Sequence, residues 1–406
     1  MTTKLRSVLQ LGAGRLMCHS IRKLQEIGFR TLAVDQDVNA PGFALVEDHA
    51  PIDIRDTGSV ARYAGSKGVD LILAVNEPGV LAAAEASQQL GLPNIPPEVA
   101  RRCLHKGLMR EAWQKAGLPQ PVFTIVRSVD AIADAAISIG YPVILKPARN
   151  WGSRGVSRVA EPSDLSWSID FASANCPDGD FVVEQCLSGT EMTIEGLVKR
   201  GRLQVLAQSD KEPQPHSRYR VAMALNYPAR FAQWQLDRAV EVVTKAAQAL
   251  GIENGSFHCE CMVTEREVFL LEMAVRPGGG HIFGQIVEAS SGVCMPQVLV
   301  RLLLGEDPDI RPRYQRGACY KFFSPPAGVF QRAMGVEEAR RLPGILDFGF
   351  HMRPGTSVSP IAGDADRPGY AVAAGETRDE AIENVNRAIA SVKYIVGLEN
   401  LPCHDL

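Results

Sequence analysis

Gly255-Ser-Phe-His-Cys-Glu-Cys-Met-Val-Thr-Glu-Arg-Glu-Val-Phe-Leu-Leu-Glu-Met-Ala-Val-Arg-Pro-Gly-Gly-Gly-His281 reads as two apolar runs on either side of a charged turn, Thr264 to Glu267, the pattern of a β-hairpin. Side chains alternate along a strand, so His258 and Glu260 share one face while Phe257, Cys259 and Cys261 share the other. With the hairpin centred on Arg266, Glu260 falls opposite Glu272. Like charges opposed across a sheet repel, so the pairing asks for a counter-charge. A divalent cation with hard oxygen ligands supplies one. A register off by one would leave both glutamates solvated, and the hairpin alone leaves the two readings open.

The rest of the chain narrows the choice. At 406 residues it is too long for one core, and roughly two to four domains are expected. The net charge of −3, with no clustering of basic residues, gives no footprint for nucleic acid. No apolar run approaches the ~20 residues of a membrane helix. The N-terminus enters a strand-like Ser7-Val-Leu-Gln-Leu11 at once, without a signal-peptide pattern. Nine cysteines lack metal spacing, and Cys259-Glu-Cys261 is too short for a zinc knuckle. Unpaired thiols in a long chain predict a cytoplasmic location.

Residues 5 to 100 alternate short strands with helices, the mark of an open parallel α/β sheet. Strands are expected at Ser7 to Leu11, Thr31 to Val34 and Val69 to Val75, and helices at Leu16 to Ile27 and Val80 to Leu90. A helix His105 to Ala116 follows, stopped by Gly117-Leu-Pro119. From about Pro121 the pattern becomes α+β: a strand and a helix lead to Gly140-Tyr-Pro-Val-Ile-Leu-Lys146, then the loop Asn150-Trp-Gly-Ser-Arg-Gly-Val156. Strands Asp180 to Gln185 and Glu191 to Val198 come next, and a helix Trp234 to Leu250 delivers the chain to the hairpin. Gly305 to Arg316 reads as a linker. The last helix opens on a capping box, Thr377-Arg-Asp-Glu380, with Ala381, Val385, Ile389 and Val392 on one face.

Gly12-x-Gly14 after a strand, with Asp35 at the end of the next, comes near a dinucleotide fingerprint, but Met17 stands where the third glycine belongs. Tight-turn glycines serve any doubly wound sheet, and nothing downstream resembles a hydride-transfer site. Lys146, at a strand end ahead of a glycine-bearing loop, suits phosphate oxygens. Glu184-Gln-Cys-Leu187 ends a strand, offering backbone groups to a base and a carboxylate, Glu191, to a ribose. Lys211 reads as solvated or as a further phosphate contact. Each signal alone is weak. Their order, with the two-carboxylate hairpin last, describes a nucleoside triphosphate held by cations and a carboxylate-bound metal.

In this order the motifs resemble the ATP-grasp superfamily of carboxylate–amine ligases, over nearly the whole chain. The fold implied is an α/β N-terminal domain plus α+β ATP-grasp domains, a three-domain ATP-grasp architecture with an extra C-terminal α+β unit. The expected divisions are an N-terminal domain at 1–104, an ATP-grasp domain at 105–305 (lobes 105–185 and 186–305) and a C-terminal unit at 306–406. The resemblance implies ATP phosphate contacts at Lys106, in His105-Lys-Gly-Leu-Met-Arg-Glu-Ala-Trp, and at Lys146. It implies a mobile lid carrying Ser153 and Gly155, adenine contacts over Glu184, Gln185 and Leu187, and a ribose contact at Glu191. Glu260 and Glu272 match the magnesium ligands. Arg276, with Lys146, takes the catalytic role, stabilising an acyl phosphate or tetrahedral intermediate, and Arg276, Gly279 and His281 lie at the substrate end.

One departure stands out. The family usually carries Glu-x-Asn after the second carboxylate, and here it is Glu272-Met-Ala274, so one or two Mg2+ ions are expected, with Mn2+ an alternative. Arg-Pro-Gly-Gly-Gly-His and the C-terminal unit are most similar to the amino-acid and dipeptide ligases of bacilysin-synthetase type. The purine-pathway ligases and carboxylases are the alternative, and an ATP-binding regulatory protein without turnover is a rival from another class. The implied partners are a small-molecule carboxylate and an amine, with no nucleic acid or membrane, and a homodimer is the candidate assembly. Arg218, Arg220, Lys321 and Arg332 are candidate carboxylate clamps.

Overall fold

The structure is a computed structural model and describes residues 6–176, 178–214, 217 and 219–397. The chain divides into two compact units, each assembled from three separate segments. The first combines Met1–Ile125, Leu187–Gln208 and Arg230–Gln315; the second combines Val126–Cys186, Ser209–Ala229 and Arg316–Leu406.

The first unit opens with a parallel sheet in the order Asp48–Ala50, Arg30–Val34, Ser7–Leu11, Leu71–Ala74. Ser7–Leu11, a central strand, is buried throughout, and its two polar side chains are hydrogen-bonded, Ser7 to Asp70 and Gln10 to Ser20. Crossover helices run Cys18–Glu26, Thr57–Lys67 and Val80–Leu90. Asp56 caps the second by accepting from the Ser59 N–H, and Gly68 ends it in the left-handed region. In the Gly12-x-Gly14 turn, Gly12 takes φ +98. Asp35 accepts from the N–H groups of Ala13 and Asp37, so its carboxylate secures the loop.

The same unit contains the hairpin. Thr190–Lys199, Gly255–Val263 and Val268–Ala274 form an antiparallel run, backed by the helices Lys106–Lys115 and Gln233–Leu250. The expected alternation holds: Phe257, Cys259 and Cys261 are fully buried, while His258 and Glu260 are part-exposed. The buried face joins a core with Met109, Trp113, Val242, Val243, Leu250, Leu270 and Met273. Each such large apolar side chain contributes on the order of 1.5–3 kcal/mol. The helix Pro97–Leu104, between the expected elements, was not signalled by the Pro-rich run before it. After the Gly-Gly-Gly turn the chain makes one π-helical turn, Ile282–Ile286.

In the second unit, Phe181–Gln185, Val143–Pro147 and Ser157–Val159 pair antiparallel, covered by Ile132–Ile139 and Leu165–Ser173. The end of strand Arg202–Pro213 pairs with Ala222–Tyr227, which continues through Gly317–Phe323, Gly369–Gly375 and Ile345–Phe350. The helix Arg378–Ser391 packs Ala381, Val385 and Ala388 against these strands. Its capping box is half formed: Thr377 accepts from the Glu380 N–H, but the Glu380 carboxylate accepts from Glu376 rather than from Thr377.

Candidate active site

Glu260 and Glu272 are direct cross-strand partners. The turn alone would not make them so. Val263 pairs with Val268, which centres the ladder between Glu265 and Arg266. Continued without interruption, that register sets Glu272 opposite Cys259 on the apolar face. The ladder shifts between Glu260 and Cys261, whose partners are Glu272 and Leu270, and Leu271 is the extra residue. A β-bulge of this kind re-aims side chains beside functional sites. Here it turns a carboxylate out of the core and towards its partner.

Cations and hydrogen-bond donors surround the pair. Lys106, 6% exposed, places Nζ 3.3 Å from Glu272 Oε1. A buried ammonium needs such a partner, because its desolvation is otherwise uncompensated. His258 Nε2 lies 3.5 Å from Glu260 Oε1, and Nδ1 bonds to Glu195, which is fully buried. Burial pushes the His258 imidazole pKa down, but the Glu195 charge and the bonds to Glu195 and Glu260 outweigh it and hold it up at about 9. Glu195 also accepts from the Gly278 N–H at 3.0 Å. A side chain at Gly278 would put Cβ 2.8 Å from both Glu195 carboxylate oxygens, which accounts for the first glycine of the triplet. Gly280 has φ +63, accounting for the third. Nothing lies within 4 Å of a Cβ at Gly279.

Arg276 follows the second strand. Its Nε and Nη2 both lie 2.6 Å from Glu77 Oε2, and Nη1 donates to the Pro277 carbonyl. Burial opposes the guanidinium charge, but Glu77, then Glu272 and Glu195, raise its pKa. His281 precedes the π-turn and bonds through Nδ1 to Gln285 Oε1 at 2.8 Å. Ala274, at the position of the family's amide, is buried and pairs with His258. Glu191 pairs with Met262 in the ladder, and Leu187 is half-buried.

Among the described residues no group of three or more His, Cys, Asp or Glu side chains is arranged to hold a metal. The opposed pair still fits magnesium. Two hard-oxygen carboxylates, 28% and 24% exposed, leave coordination positions open, and Mg2+ commonly takes one or two carboxylates plus phosphate oxygens and water.

The remaining candidates lie in the second unit. Lys146 and Glu184, 6% and 3% exposed, form an ion pair at 2.5 Å. Ile144 is the direct partner of Glu184, so Lys146 is its diagonal neighbour on one face. Gln185 is exposed. In the loop, Ser153 has φ +58, uncommon without glycine, and its hydroxyl donates to the Arg220 carbonyl at 3.3 Å. Gly155 has φ +76, and a Cβ there would meet Pro147 Cγ at 2.8 Å and Asn175 Cβ at 2.9 Å. Asp364 donates its backbone N–H to the Gly152 carbonyl. Lys211 is half-buried, Lys321 donates to Asn386 and Arg332 is exposed. Arg218 lies outside the described residues.

Sequence reasoning missed Glu77, Arg110 and Glu195. Glu195 had a signal, since it lies four positions after Glu191 on the same face of the strand. Glu77 and Arg110 had none that a linear reading weighs.

Two family descriptions match the chain: ATP-grasp domain over residues 139–284 and L-amino acid ligase C-terminal domain 2 over residues 321–397. The L-amino acid ligase from Bacillus licheniformis superimposes with a TM-score of 0.85 at 22% identity, covering 98% of this chain and 100% of its own. The biotin carboxylase domain dimer of the Hydrogenobacter thermophilus 2-oxoglutarate carboxylase, solved with MgADP, ADP and bicarbonate, superimposes at 0.75 with 18% identity, covering 97% and 91%. A formate-dependent phosphoribosylglycinamide formyltransferase of Burkholderia lata is 26% identical over 96% of this chain and 95% of its own. Among the described residues no single helix is long and apolar enough to cross a membrane. The chain thus carries an ATP-grasp domain at its centre and an L-amino acid ligase C-terminal domain 2 behind it, in a fold shared over nearly its whole length with the L-amino acid ligase.

Proposed function

We propose that the chain activates a small carboxylate, an amino acid, as its acyl phosphate and joins it to an amine, releasing ADP and phosphate. The observation that carries this reading is the bulged hairpin, which opposes Glu260 and Glu272 beside Lys106. The L-amino acid ligase module at 321–397 supports the choice of carboxylate.

Glu260 and Glu272 would hold Mg2+, which when bound offsets the charge of a transferring phosphoryl group. Lys106, beside Glu272, would offer its ammonium to phosphate oxygens. Arg276, steadied by Glu77, presents a guanidinium to the oxyanion of amine attack. Gly279 and His281 are proposed substrate contacts, with the carboxylate of Glu195 and the charged His258 on the neighbouring strand. In the second unit, Lys146 is proposed for phosphate and Glu184 with Gln185 for the nucleotide; in the first, Leu187 and Glu191 are proposed for base and ribose. Ser153 and Gly155 belong to a loop that excludes water from the activated acyl group. Because Ala274 offers no amide oxygen, one tightly bound ion is proposed. The divisions at 104 and 305, a cytoplasmic location and a homodimer are part of the same proposal.

The test is ADP release over paired carboxylates and amines, with products read by mass. ADP formation that requires both an amino acid and a second amine, with a condensed product, is expected. The Burkholderia formyltransferase likeness supports a second reading, so formate with phosphoribosylglycinamide is included as a pair. Turnover with that pair alone would move the chain to the purine reading. ATP binding without ADP release from any pair would replace both with a non-catalytic one.

A further inference from the structure

The bulge that turns Glu272 out of the core has a cost: one extra residue cannot complete the ladder, and its backbone groups must find partners elsewhere. Arg110 supplies them for two of the carbonyls. Its Nη1 donates to the Leu270 carbonyl and its Nη2 to the Leu271 carbonyl, each at 2.9 Å. The residue is 1% exposed and lies 5.5 Å from the Trp113 ring. The strand is pinned on either side of these bonds, since the Leu270 N–H donates to Pro119 and the Met273 N–H points to the Met109 sulfur. Lys106 and Arg110 stand four residues apart on the helix Lys106–Lys115, which puts them on one face. That face sends one cation to the Glu272 carboxylate and the next to the backbone just before it.

We propose that Arg110 is the positioning residue of the carboxylate pair: by holding both bulge carbonyls it fixes the register in which Glu272 faces Glu260. It touches neither nucleotide nor metal, and acts through the strand. A guanidinium is suited to this because its donors form a rigid planar fork, able to bond two neighbouring carbonyls at once; an ammonium lacks that geometry. The assignment rests on the metal reading of Glu260 and Glu272 given above.

The experiment is a Mn2+ titration of the full chain with a non-hydrolysable ATP analogue, followed by electron paramagnetic resonance, for wild type, Arg110→Lys, Arg110→Met and Trp113→Phe. Supporting groups behind metal ligands typically change metal affinity tenfold to a hundredfold. Arg110→Met is expected to weaken Mn2+ binding by about that factor, and Arg110→Lys by less. Trp113→Phe, which disturbs the same buried helix face, should lower the melting temperature and leave Mn2+ affinity in place. A folded Arg110 variant with wild-type Mn2+ affinity overturns the assignment, and so does a Trp113→Phe shift as large as that of Arg110→Lys. Should Arg110→Met fail to fold, Arg110→Lys decides alone. A wild-type chain that binds no Mn2+ alongside the nucleotide removes the metal reading of Glu260 and Glu272 and this assignment with it. Wild-type binding with unaffected variants removes the assignment only.

Discussion

The hairpin of the first unit and the glycine loop of the second carry proposed phosphate-end groups in opposite ways. In the hairpin each charge already has a partner: Glu272 with Lys106, His258 with Glu195, Arg276 with Glu77. The loop Asn150–Val156 offers mostly backbone, bent through positive φ at Gly152, Ser153 and Gly155. Side chains fixed in advance need no reorganisation when charge develops, which is what transition-state stabilisation demands. A loop of backbone donors suits closure over a ligand. The difference predicts that damage to the hairpin appears in kcat and damage to the loop in KM for ATP.

The most severe way to break that contrast is Glu272→Gln, which keeps size and a hydrogen-bonding oxygen. It should lower kcat by about 10³ or more, because the metal charge it would hold is worth several kcal/mol at the transition state. Full ADP release from a folded variant would remove the metal role. Arg276→Met should cost roughly 10²–10³ in kcat, as loss of one oxyanion donor does elsewhere; a change confined to KM would make it a binding residue only. On the loop side, Gly155→Val forces a branched side chain to a positive φ against Pro147 and Asn175. KM for ATP should rise about tenfold, in keeping with a strain of about 1–3 kcal/mol, with kcat little changed. A kcat collapse there would erase the contrast.

Gly279→Ala gives a finer test. The position has ordinary φ and open space, so the melting temperature should hold within about 1 °C, since unencumbered surface changes stay within roughly 0.5 kcal/mol. A several-fold loss of activity on that unchanged fold would mark a substrate contact, and no loss would remove it from the site. The smallest effect concerns the turn. Arg238 bonds both Glu267 oxygens at 2.8 Å, and this hydrogen bond lowers the Glu267 pKa. A carboxylate depressed by folding stabilises the native state above its unfolded pKa of about 4.3, and that contribution disappears as pH falls through the folded value. Arg238→Ala should therefore cost less than about 1 kcal/mol at neutral pH. In urea melts the gap from wild type should close at acid pH, and a gap independent of pH would contradict the assignment.

Much of the hairpin was legible. Alternation placed Phe257, Cys259 and Cys261 inward, and the pairing of Glu260 with Glu272 followed from a turn centred on Arg266. The structure reaches that pairing by another route, a tighter turn plus one bulged residue. Leu271 between Leu270 and Glu272 has no composition to announce it, since a bulge is a property of two strands rather than one. Glu77 and Arg110 were invisible for a related reason: their partners, Arg276 and the carbonyls of Leu270 and Leu271, lie far along the chain. The pairing of Lys146 with Glu184 was likewise out of reach, because it depends on which strands become neighbours across 38 residues. Helix ends were easier, as Val80–Leu90 shows, because a left-handed Gly91 marks its stop.

The interlaced segments of the second unit bear on how the protein can be made. Strand Ala222–Tyr227 pairs on one edge with Arg202–Pro213 but finds its second neighbour only at Gly317–Phe323, with Ala224 beside Lys321. Closing a loop of roughly a hundred residues costs more entropy than a short turn, though the cost grows only logarithmically. The larger consequence is one of timing. During synthesis the edge of Ala222–Tyr227 waits for the late-emerging chain, and an unpaired edge is an invitation to aggregation. Cutting the gene before residue 316 would not yield a merely trimmed protein. It would leave that strand permanently open, so soluble yield should fall with such truncations before any question of catalysis arises.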